Sequence, residues 1–153
     1  MCAFFVLNGG NMEKYMNIAL KEAYKAFKCK EIPIGAVIVK DGKIIARAHN
    51  RREHSNLSTA HAEIIAINKA CRKLKNWRLN GCELYVTVEP CMMCCGAIIQ
   101  SRISTVFFGT ENENYGYSQV LEKNGIRVIN DICKDECKNI IQDFFIKKRN
   151  QNL

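Results

Sequence analysis

Apolar residues recur with helical spacing near the start of the chain. Between residues 16 and 27 they fall on one face of a helix, while lysines occupy the opposite, solvent-facing side. The apolar positions are Met16, Ala19, Leu20, Ala23 and Phe27, and the lysines are Lys14, Lys21, Lys25 and Lys28. The pattern predicts an amphipathic first helix.

Two β-rich runs follow this helix, Ile34–Lys40 and Lys43–His49. Only Asp41 and Gly42 separate them. An Asp-Gly pair between two strands is a strong signal for a two-residue hairpin turn, because such turns favour residues that tolerate positive φ. We therefore predict a β-hairpin at residues 34–49.

The rest of the chain alternates helical and strand patterns. A second helix is expected to begin near Thr59, a suitable N-cap residue, and to run towards Lys75. The later elements are strand Glu83–Val88, a buried helix from Cys91 to Ile99, strand Thr105–Gly109, a short fifth strand Arg127–Ile129, and a last helix that carries Cys137, Ile140, Ile141, Phe144 and Phe145. This order predicts a layered α/β domain with a mixed sheet.

Length and hydrophobicity favour one soluble domain. The chain has 153 residues, of which 48% are hydrophobic and 25% are charged. No apolar run reaches the roughly 20 residues that a membrane span requires. The apolar stretch Cys2–Leu7 lacks the basic leader and cleavage pattern of a signal peptide. We expect residues 1–11 to be a disordered or mis-started extension, and residues 12–150 to form the domain.

The charge balance indicates what kind of partner the protein could bind. The sequence has 23 Lys and Arg against 15 Asp and Glu, a net charge of +8. A basic surface favours polyanions, because neutralising phosphates releases counterions. A purely solubilising role explains the same charge equally well.

Nine cysteines are an odd number with no small disulfide framework. Without a secretory signal, they favour a reducing cytoplasm and roles as metal ligands or core residues.

Two short motifs carry the candidate chemistry. The first is His61-Ala62-Glu63, and the second is Pro90-Cys91-Met92-Met93-Cys94, which places Cys91 30 residues after His61. Each motif alone is weak, since a Cys-x-x-Cys pair also occurs in redox proteins, zinc knuckles and packed cores.

Together the motifs predict a metal site with three protein ligands. Cys91 and Cys94 share one helix face, and Pro90 suits a first helical turn. His61 is expected at the start of the preceding helix, at the same edge of the sheet. One His and two Cys leave the fourth position of a tetrahedral zinc open for water. Cys95 points about 100° away from Cys94 on a helix and does not close the site.

Glu63 is left as an acid that does not bind the metal. A carboxylate beside a zinc-activated water can take its proton and pass it on. The sequence therefore predicts Glu63 as the catalytic proton shuttle.

The combination of His-x-Glu with Pro-Cys-x-x-Cys is the pattern of zinc-dependent nucleobase deaminases. Longer segments resemble the tRNA-specific adenosine deaminases (TadA), which belong to the cytidine/deoxycytidylate deaminase superfamily. These segments include Pro33–Val37, Asn50-Arg51, Thr59–Ile64, Leu84–Cys91, Cys94–Ile103, Glu136-Cys137 and Asp143–Phe145. The resemblance extends over nearly everything from Met12 to Arg149.

This resemblance implies a homodimer with a three-layer α/β/α cytidine-deaminase-like fold and a five-stranded mixed sheet. It implies one zinc ion per chain, held by His61, Cys91 and Cys94. The implied reaction converts the wobble adenosine of a tRNA anticodon loop to inosine. Water activated at the zinc attacks C6 of the extruded base, and Glu63 protonates N1 and then the leaving amine.

Three further residues are assigned to the substrate by the same resemblance. Asn50 is expected to touch the flipped base, and Phe145 and Arg149 are expected to hold the anticodon loop. Simpler explanations remain open, in which Asn50 caps a turn and Phe144 and Phe145 are core residues.

One loop departs from the family pattern. Where the family usually carries an Asp and, two residues later, a Lys, this chain has Asn112 and Asn114. An amide in place of a carboxylate removes an acceptor for a ribose 2′-hydroxyl group, which distinguishes RNA from DNA. We hypothesise a relaxed or altered substrate choice.

Two other functions compete with tRNA deamination. A free nucleobase deaminase, acting on guanine or cytosine, would share the zinc motifs, but the basic segment Lys147-Lys148-Arg149 favours a polyanionic substrate. A non-catalytic zinc module or a dithiol redox protein would use Cys91 and Cys94 but would have no purpose for Glu63.

Overall fold

The structure is a computed structural model that describes residues 9–151. Residues 1–8 of the predicted N-terminal extension lie outside this range, and residues 9–11 belong to the first helix. The helices are α1 (Gly9–Lys28), α2 (Arg52–Ser55), α3 (Ala62–Leu74), α4 (Met92–Gln100), α5 (Gln119–Lys123) and α6 (Lys134–Gln151). The strands are β1 (Gly35–Lys40), β2 (Lys43–His49), β3 (Cys82–Val88), β4 (Thr105–Thr110) and β5 (Arg127–Ile129).

The five strands form one mixed sheet in the order β2-β1-β3-β4-β5. Strand β1 is antiparallel to both β2 and β3. Strands β3, β4 and β5 are parallel to one another. The predicted mixed sheet with a short fifth strand is confirmed.

The predicted hairpin is also confirmed. Lys40 pairs with Lys43 across the turn. Asp41 and Gly42 both have positive φ, 50° and 74°, as a tight two-residue turn between twisted strands requires.

Alternate strand residues face two separate cores, which makes the molecule three-layered. Helices α1 and α6 cover one face of the sheet, where Tyr85 and Phe107 stack with ring centroids 4.3 Å apart. Helices α3, α4 and α5 cover the other face, against Ile38, Leu84 and Val106. Most buried strand side chains are apolar on both faces, because helices cover both sides of the sheet; Thr87 and Thr110 are buried polar exceptions.

Several element boundaries differ from the sequence-based expectation. Residues 58–59 form a turn rather than the start of a helix, and α3 begins at Ala62 with His61 as its N-cap residue. Helix α4 likewise begins at Met92, with Cys91 as the N-cap residue. Helices α2 and α5 were not predicted, because four- and five-residue helices are too short to show a periodic pattern.

One edge of the sheet gathers the ends of three strands. Because β2 is parallel to β3 and β4, Asn50, Glu89 and Glu111 all leave the sheet at this edge. Helices α3 and α4 start there as well, since each connects two parallel strands. Within residues 9–151, no helix has the length and hydrophobicity needed to cross a membrane.

Candidate metal and active site

The three predicted metal ligands lie at the starts of two helices. His61 and Cys91 are the N-cap residues of α3 and α4, with extended backbone conformations, and Cys94 lies in the first turn of α4. The first backbone N–H groups of a helix are unpaired and carry partial positive charge, which favours a thiolate nearby.

The ligand atoms are close enough to bind one ion. His61 Nδ1 lies 3.7 Å from Cys91 Sγ and 3.6 Å from Cys94 Sγ, and all three atoms lie within 4.8 Å of one another. Tetrahedral zinc with its usual bond lengths holds such ligand atoms about 3.3–3.8 Å apart. The donor set and its spacing therefore fit zinc.

The protonation of this cluster favours a charged sulfur. A hydrogen bond with Cys94, followed by the contact with His61, outweighs burial and lowers the pKa of Cys91 to about 4. The same hydrogen bond, together with burial, raises the pKa of Cys94 well above its usual range. The hydrogen bond with Cys91 raises the pKa of His61. Cys91 therefore favours the thiolate form, whereas Cys94 favours the thiol form.

Glu63 lies beside the three ligands without joining their cluster. Glu63 is only 3% exposed, and it is close enough to Cys94 for each group to affect the pKa of the other. Burial raises the pKa of the Glu63 carboxyl group above its usual value, although the nearby His61 opposes the effect. A raised pKa suits a group that must take up and release protons near neutral pH.

A cavity of about 680 Å³ opens over His61 and Cys91. This volume lies in the usual range for small-molecule sites. Its walls come from the segment between α1 and β1, the segments after β2 and β4, and helix α6. These walls include Ile32, Ile34, Asn50, Arg52, Thr110, Glu111, Asn112, Glu113, Asn114, Tyr115, Lys138, Ile141, Gln142 and Phe145.

Asn50 is a buried polar residue that lines this cavity. It is 4% exposed, its N–H donates to the Ile34 carbonyl oxygen at 3.0 Å, and its side-chain Oδ1 has no hydrogen-bond partner within residues 9–151. A buried oxygen without a partner costs free energy unless a ligand or water satisfies it. If Asn50 capped a turn through its side-chain oxygen, that oxygen would accept a hydrogen bond, and none is found within residues 9–151.

The structure separates the two adjacent phenylalanines. Phe144 is buried and packs edge-on against Phe27, whereas Phe145 is 42% exposed and lines the cavity. The core explanation is therefore right for Phe144 and wrong for Phe145. Arg149 is exposed on α6, one turn beyond Phe145, and does not line the cavity.

Sequence reasoning missed two carboxylates that hold the cavity walls. Glu31, 1% exposed, accepts hydrogen bonds from the backbone N–H groups of His54 and Glu53 at 2.6 and 3.2 Å. Glu89 accepts from the backbone of the segment after β4. The only sequence signal for Glu89 was its place before Pro90, and Glu31 had none.

Comparison with known proteins identifies the family. A sequence profile of MafB19-like deaminases matches residues 10–149. The tRNA-specific adenosine deaminase of Bacillus subtilis (strain 168) is 44% identical to this chain over 145 residues, which cover 90% of each protein. The chain belongs to the tRNA-specific adenosine deaminase family.

Solved structures of deaminases share the fold of this chain. A structure from work on A-to-I editing by tRNA:A34 deaminases at the wobble position of transfer RNA is 39% identical, with a TM-score of 0.80 over 83% of this chain and 98% of that chain. The cytidine-deaminase-like fold is thereby confirmed. A guanine deaminase from Bacillus subtilis is 40% identical, with a TM-score of 0.64 over 72% of this chain and 74% of that chain.

Proposed function

We propose that this protein hydrolyses adenosine to inosine at the wobble position of a tRNA anticodon loop. The observation that carries the proposal is the buried, non-ligand Glu63 beside the cluster of His61, Cys91 and Cys94, two members of which, His61 and Cys91, line the cavity of about 680 Å³. A structural metal site needs no such acid. The tRNA substrate rests on the 44% identity with a tRNA-specific adenosine deaminase.

His61, Cys91 and Cys94 would hold one zinc ion per chain. When bound, zinc lowers the pKa of a water ligand and so supplies a nucleophile at neutral pH. Three protein ligands are the number that catalytic zinc sites use. Cys91 already favours the thiolate form that binding requires.

Glu63 would carry the protons of the reaction. Its carboxylate accepts one proton from the attacking water and delivers it to N1 of adenine. It then accepts the second proton from the new hydroxyl group on C6 and delivers it to the leaving amine, which departs as ammonia. Water and adenosine are thereby converted to inosine and ammonia. Its buried position and raised pKa suit both directions of transfer.

Asn50, Phe145 and Arg149 would hold the substrate. The side-chain amide of Asn50 can hydrogen-bond the edge of the extruded base and satisfy its own unpaired oxygen. The exposed ring of Phe145 offers a stacking surface for a neighbouring base. Arg149, which is exposed one turn further along α6, would contact the RNA backbone.

Basic residues extend this substrate surface. Lys147 lies over the Phe27 ring, 5.6 Å from its centroid, and Lys148 and Arg149 follow on α6. The exposed Lys28 ends α1. Their charges favour binding of RNA phosphates.

We also infer that the protein is a homodimer. Helix α4 carries no charged residue, and Met92, Gly96 and Gln100 form an exposed stripe along it, with Met92 66% exposed. An exposed helix face without charged residues suits a subunit interface, since the centres of interfaces are depleted in charged residues. A tRNA substrate and eight free cysteine thiols among the described residues are consistent with a cytoplasmic protein.

The experiment is a deamination assay on an arginine tRNA transcript with an ACG anticodon. Zinc-loaded protein is expected to produce inosine at the wobble position. Glu63→Gln should bind zinc normally but lose activity by about 10²–10⁴-fold. The control is Glu83→Gln. Glu83 contacts Tyr85 and does not line the cavity, so this variant should remain active. No inosine from zinc-loaded wild-type protein would refute the proposal.

Free guanine is the second candidate substrate, because a guanine deaminase is 40% identical to this chain. Salt dependence separates the two functions. With an RNA substrate, KM should rise steeply with salt, since each neutralised phosphate contributes to the slope. With a neutral base, KM should barely change, and ammonia would be released from guanine without RNA.

A further inference from the structure

Glu89 joins the metal-binding segment to a wall of the cavity. It follows β3 directly and is separated from Cys91 only by Pro90. Its partly buried carboxylate faces residues 111–118, which we call the rim loop. The proposed reaction mechanism assigns no role to this carboxylate.

The carboxylate receives three hydrogen bonds from the rim loop. Oε1 accepts from the Asn112 N–H at 3.3 Å. Oε2 accepts from the Ser118 N–H at 3.2 Å and from the Ser118 hydroxyl group. The two oxygens thus hold both ends of the loop, and charged acceptors make stronger hydrogen bonds than neutral ones.

Two backbone hydrogen bonds also join residues 89–90 to the segment after β4. The Tyr117 N–H donates to the Pro90 carbonyl oxygen at 3.0 Å, and the Glu89 N–H donates to the Thr110 carbonyl oxygen at 2.8 Å. Glu89 and Pro90 therefore fix the position of the rim loop relative to Cys91.

The loop is shaped closely around the carboxylate. A side chain at position 116 would collide with the Glu89 carboxylate and would lie 2.7 Å from the Asn112 carbonyl oxygen. Glycine is therefore needed at Gly116 for the loop to close around Glu89. Within the closed loop, the Asn112 side-chain oxygen accepts from the Tyr115 N–H at 3.1 Å.

The rim loop forms one wall of the cavity through Glu111, Asn112, Glu113, Asn114 and Tyr115. Tyr115 is 74% exposed, so the loop presents an aromatic face, two amides and two carboxylates. A loop with these groups contributes more to RNA binding when it is already held in one conformation, because ordering it during binding costs affinity.

We propose that Glu89 is a positioning residue, which fixes the rim loop against the metal-binding segment and so preorganises it for the nucleotides that flank the deaminated base. This role rests on the proposed function for its substrate. It predicts a specific division of effects: substrate binding depends on Glu89, whereas metal binding and the chemical step do not.

Glu89→Gln tests the proposal with little change of shape. The amide keeps one acceptor but turns an NH₂ group towards backbone donors, so the loop should loosen. KM for an RNA hairpin with the ACG loop should rise about 10-fold. The value of kcat and the zinc content should stay close to wild type. Amide hydrogen exchange should accelerate in residues 111–118.

Two other variants serve as controls. Glu83→Gln removes another β3 carboxylate, which contacts Tyr85 instead of the rim loop, and should change neither KM nor loop exchange. Ser118→Ala removes only the hydroxyl donor, so its KM and exchange should fall between wild type and Glu89→Gln. If Glu89→Gln does not fold, the KM and loop exchange of Ser118→Ala test the proposal instead.

The outcomes separate the two proposals. Unchanged exchange in residues 111–118 would overturn the positioning role, as would a loss of zinc or a fall in kcat with unchanged KM. If wild-type protein makes no inosine, the proposed function fails, but faster loop exchange in Glu89→Gln still supports the positioning role.

Discussion

Cys91 differs from the other cysteines in charge rather than in position alone. Hydrogen bonding from Cys94 and contact with His61 lower its pKa to about 4, whereas burial raises the pKa of Cys95 and Cys137 to about 12. The thiolate form reacts with electrophiles and binds metals, and the thiol form does neither efficiently. Even without a metal, Cys91 therefore favours the thiolate form that metal binding requires.

This difference predicts a selective alkylation. In metal-free protein at neutral pH, iodoacetamide should modify Cys91 before the buried Cys95 and Cys137. Because the pKa of Cys91 is lowered, its thiolate persists as pH falls and is lost only near pH 4. The modified residues are identified by peptide mass spectrometry.

Zinc should protect Cys91 from the reagent, because the metal occupies the sulfur lone pairs. His61→Ala should slow alkylation of Cys91 by removing one of the contacts that lower its pKa. Equal alkylation of Cys91 with and without zinc would contradict its assignment as a ligand.

At the scale of elements, the close approach of α1 to β1 depends on one residue. A Cβ atom at Gly35 would overlap the backbone of Ala19 and Ala23 in α1. Backbone atoms in the middle of a helix cannot move independently to make room. The first residue of β1 therefore has to lack a side chain for the α1 layer to pack on the sheet.

Gly35→Ala should lower the free energy of unfolding by at least about 2 kcal/mol, because overpacking shifts α1 away from the sheet. Urea denaturation measures the change. Gly125→Ala is the matched control: its φ of +77° is unfavourable for alanine, but a Cβ there meets open space, so it should cost only about 1 kcal/mol. Similar costs for the two variants would contradict a steric role for Gly35.

At the scale of the whole molecule, α4 connects the active site to a surface. Cys91 and Cys94 face inward at its start, while Met92, Gly96 and Gln100 are exposed. The same short helix would then hold the metal on one side and contact a second copy of the chain on the other. Dimer formation would stabilise the metal site by packing the helix that carries it.

Gly96→Arg tests the proposed interface. A Cβ at this position meets no atom of the protomer within 4 Å, so the isolated chain should fold and bind zinc normally. A second copy packed on α4 would be displaced, and the dimer dissociation constant should rise at least about 10-fold. Sedimentation velocity over a range of concentrations measures this constant.

The control is Tyr24→Arg, which alters a 55% exposed aromatic residue on α1. It should leave the dissociation constant unchanged. A Gly96→Arg protein that dimerises as tightly as wild type would exclude α4 from the interface.

The sequence by itself predicted the order of the main elements, the Asp41-Gly42 hairpin and the set of metal ligands. Each of these depends on local information: side-chain period distinguishes helix from strand, turn residues tolerate particular φ values, and ligand spacing places Cys91 and Cys94 on one helix face. The resemblance to tRNA deaminases came from the same local segments.

Beyond the predicted cluster of His61, Cys91 and Cys94, only the tertiary structure decided which distant groups meet. Glu89 contacts Ser118, and Glu31 contacts His54, across 29 and 23 positions of sequence, and no local pattern encodes such pairs. Phe144 and Phe145 are neighbours in sequence, yet one enters the core and the other lines the cavity. Burial, hydrogen bonding and pKa arise from the groups that surround a side chain in space, and these are assembled only when the chain folds.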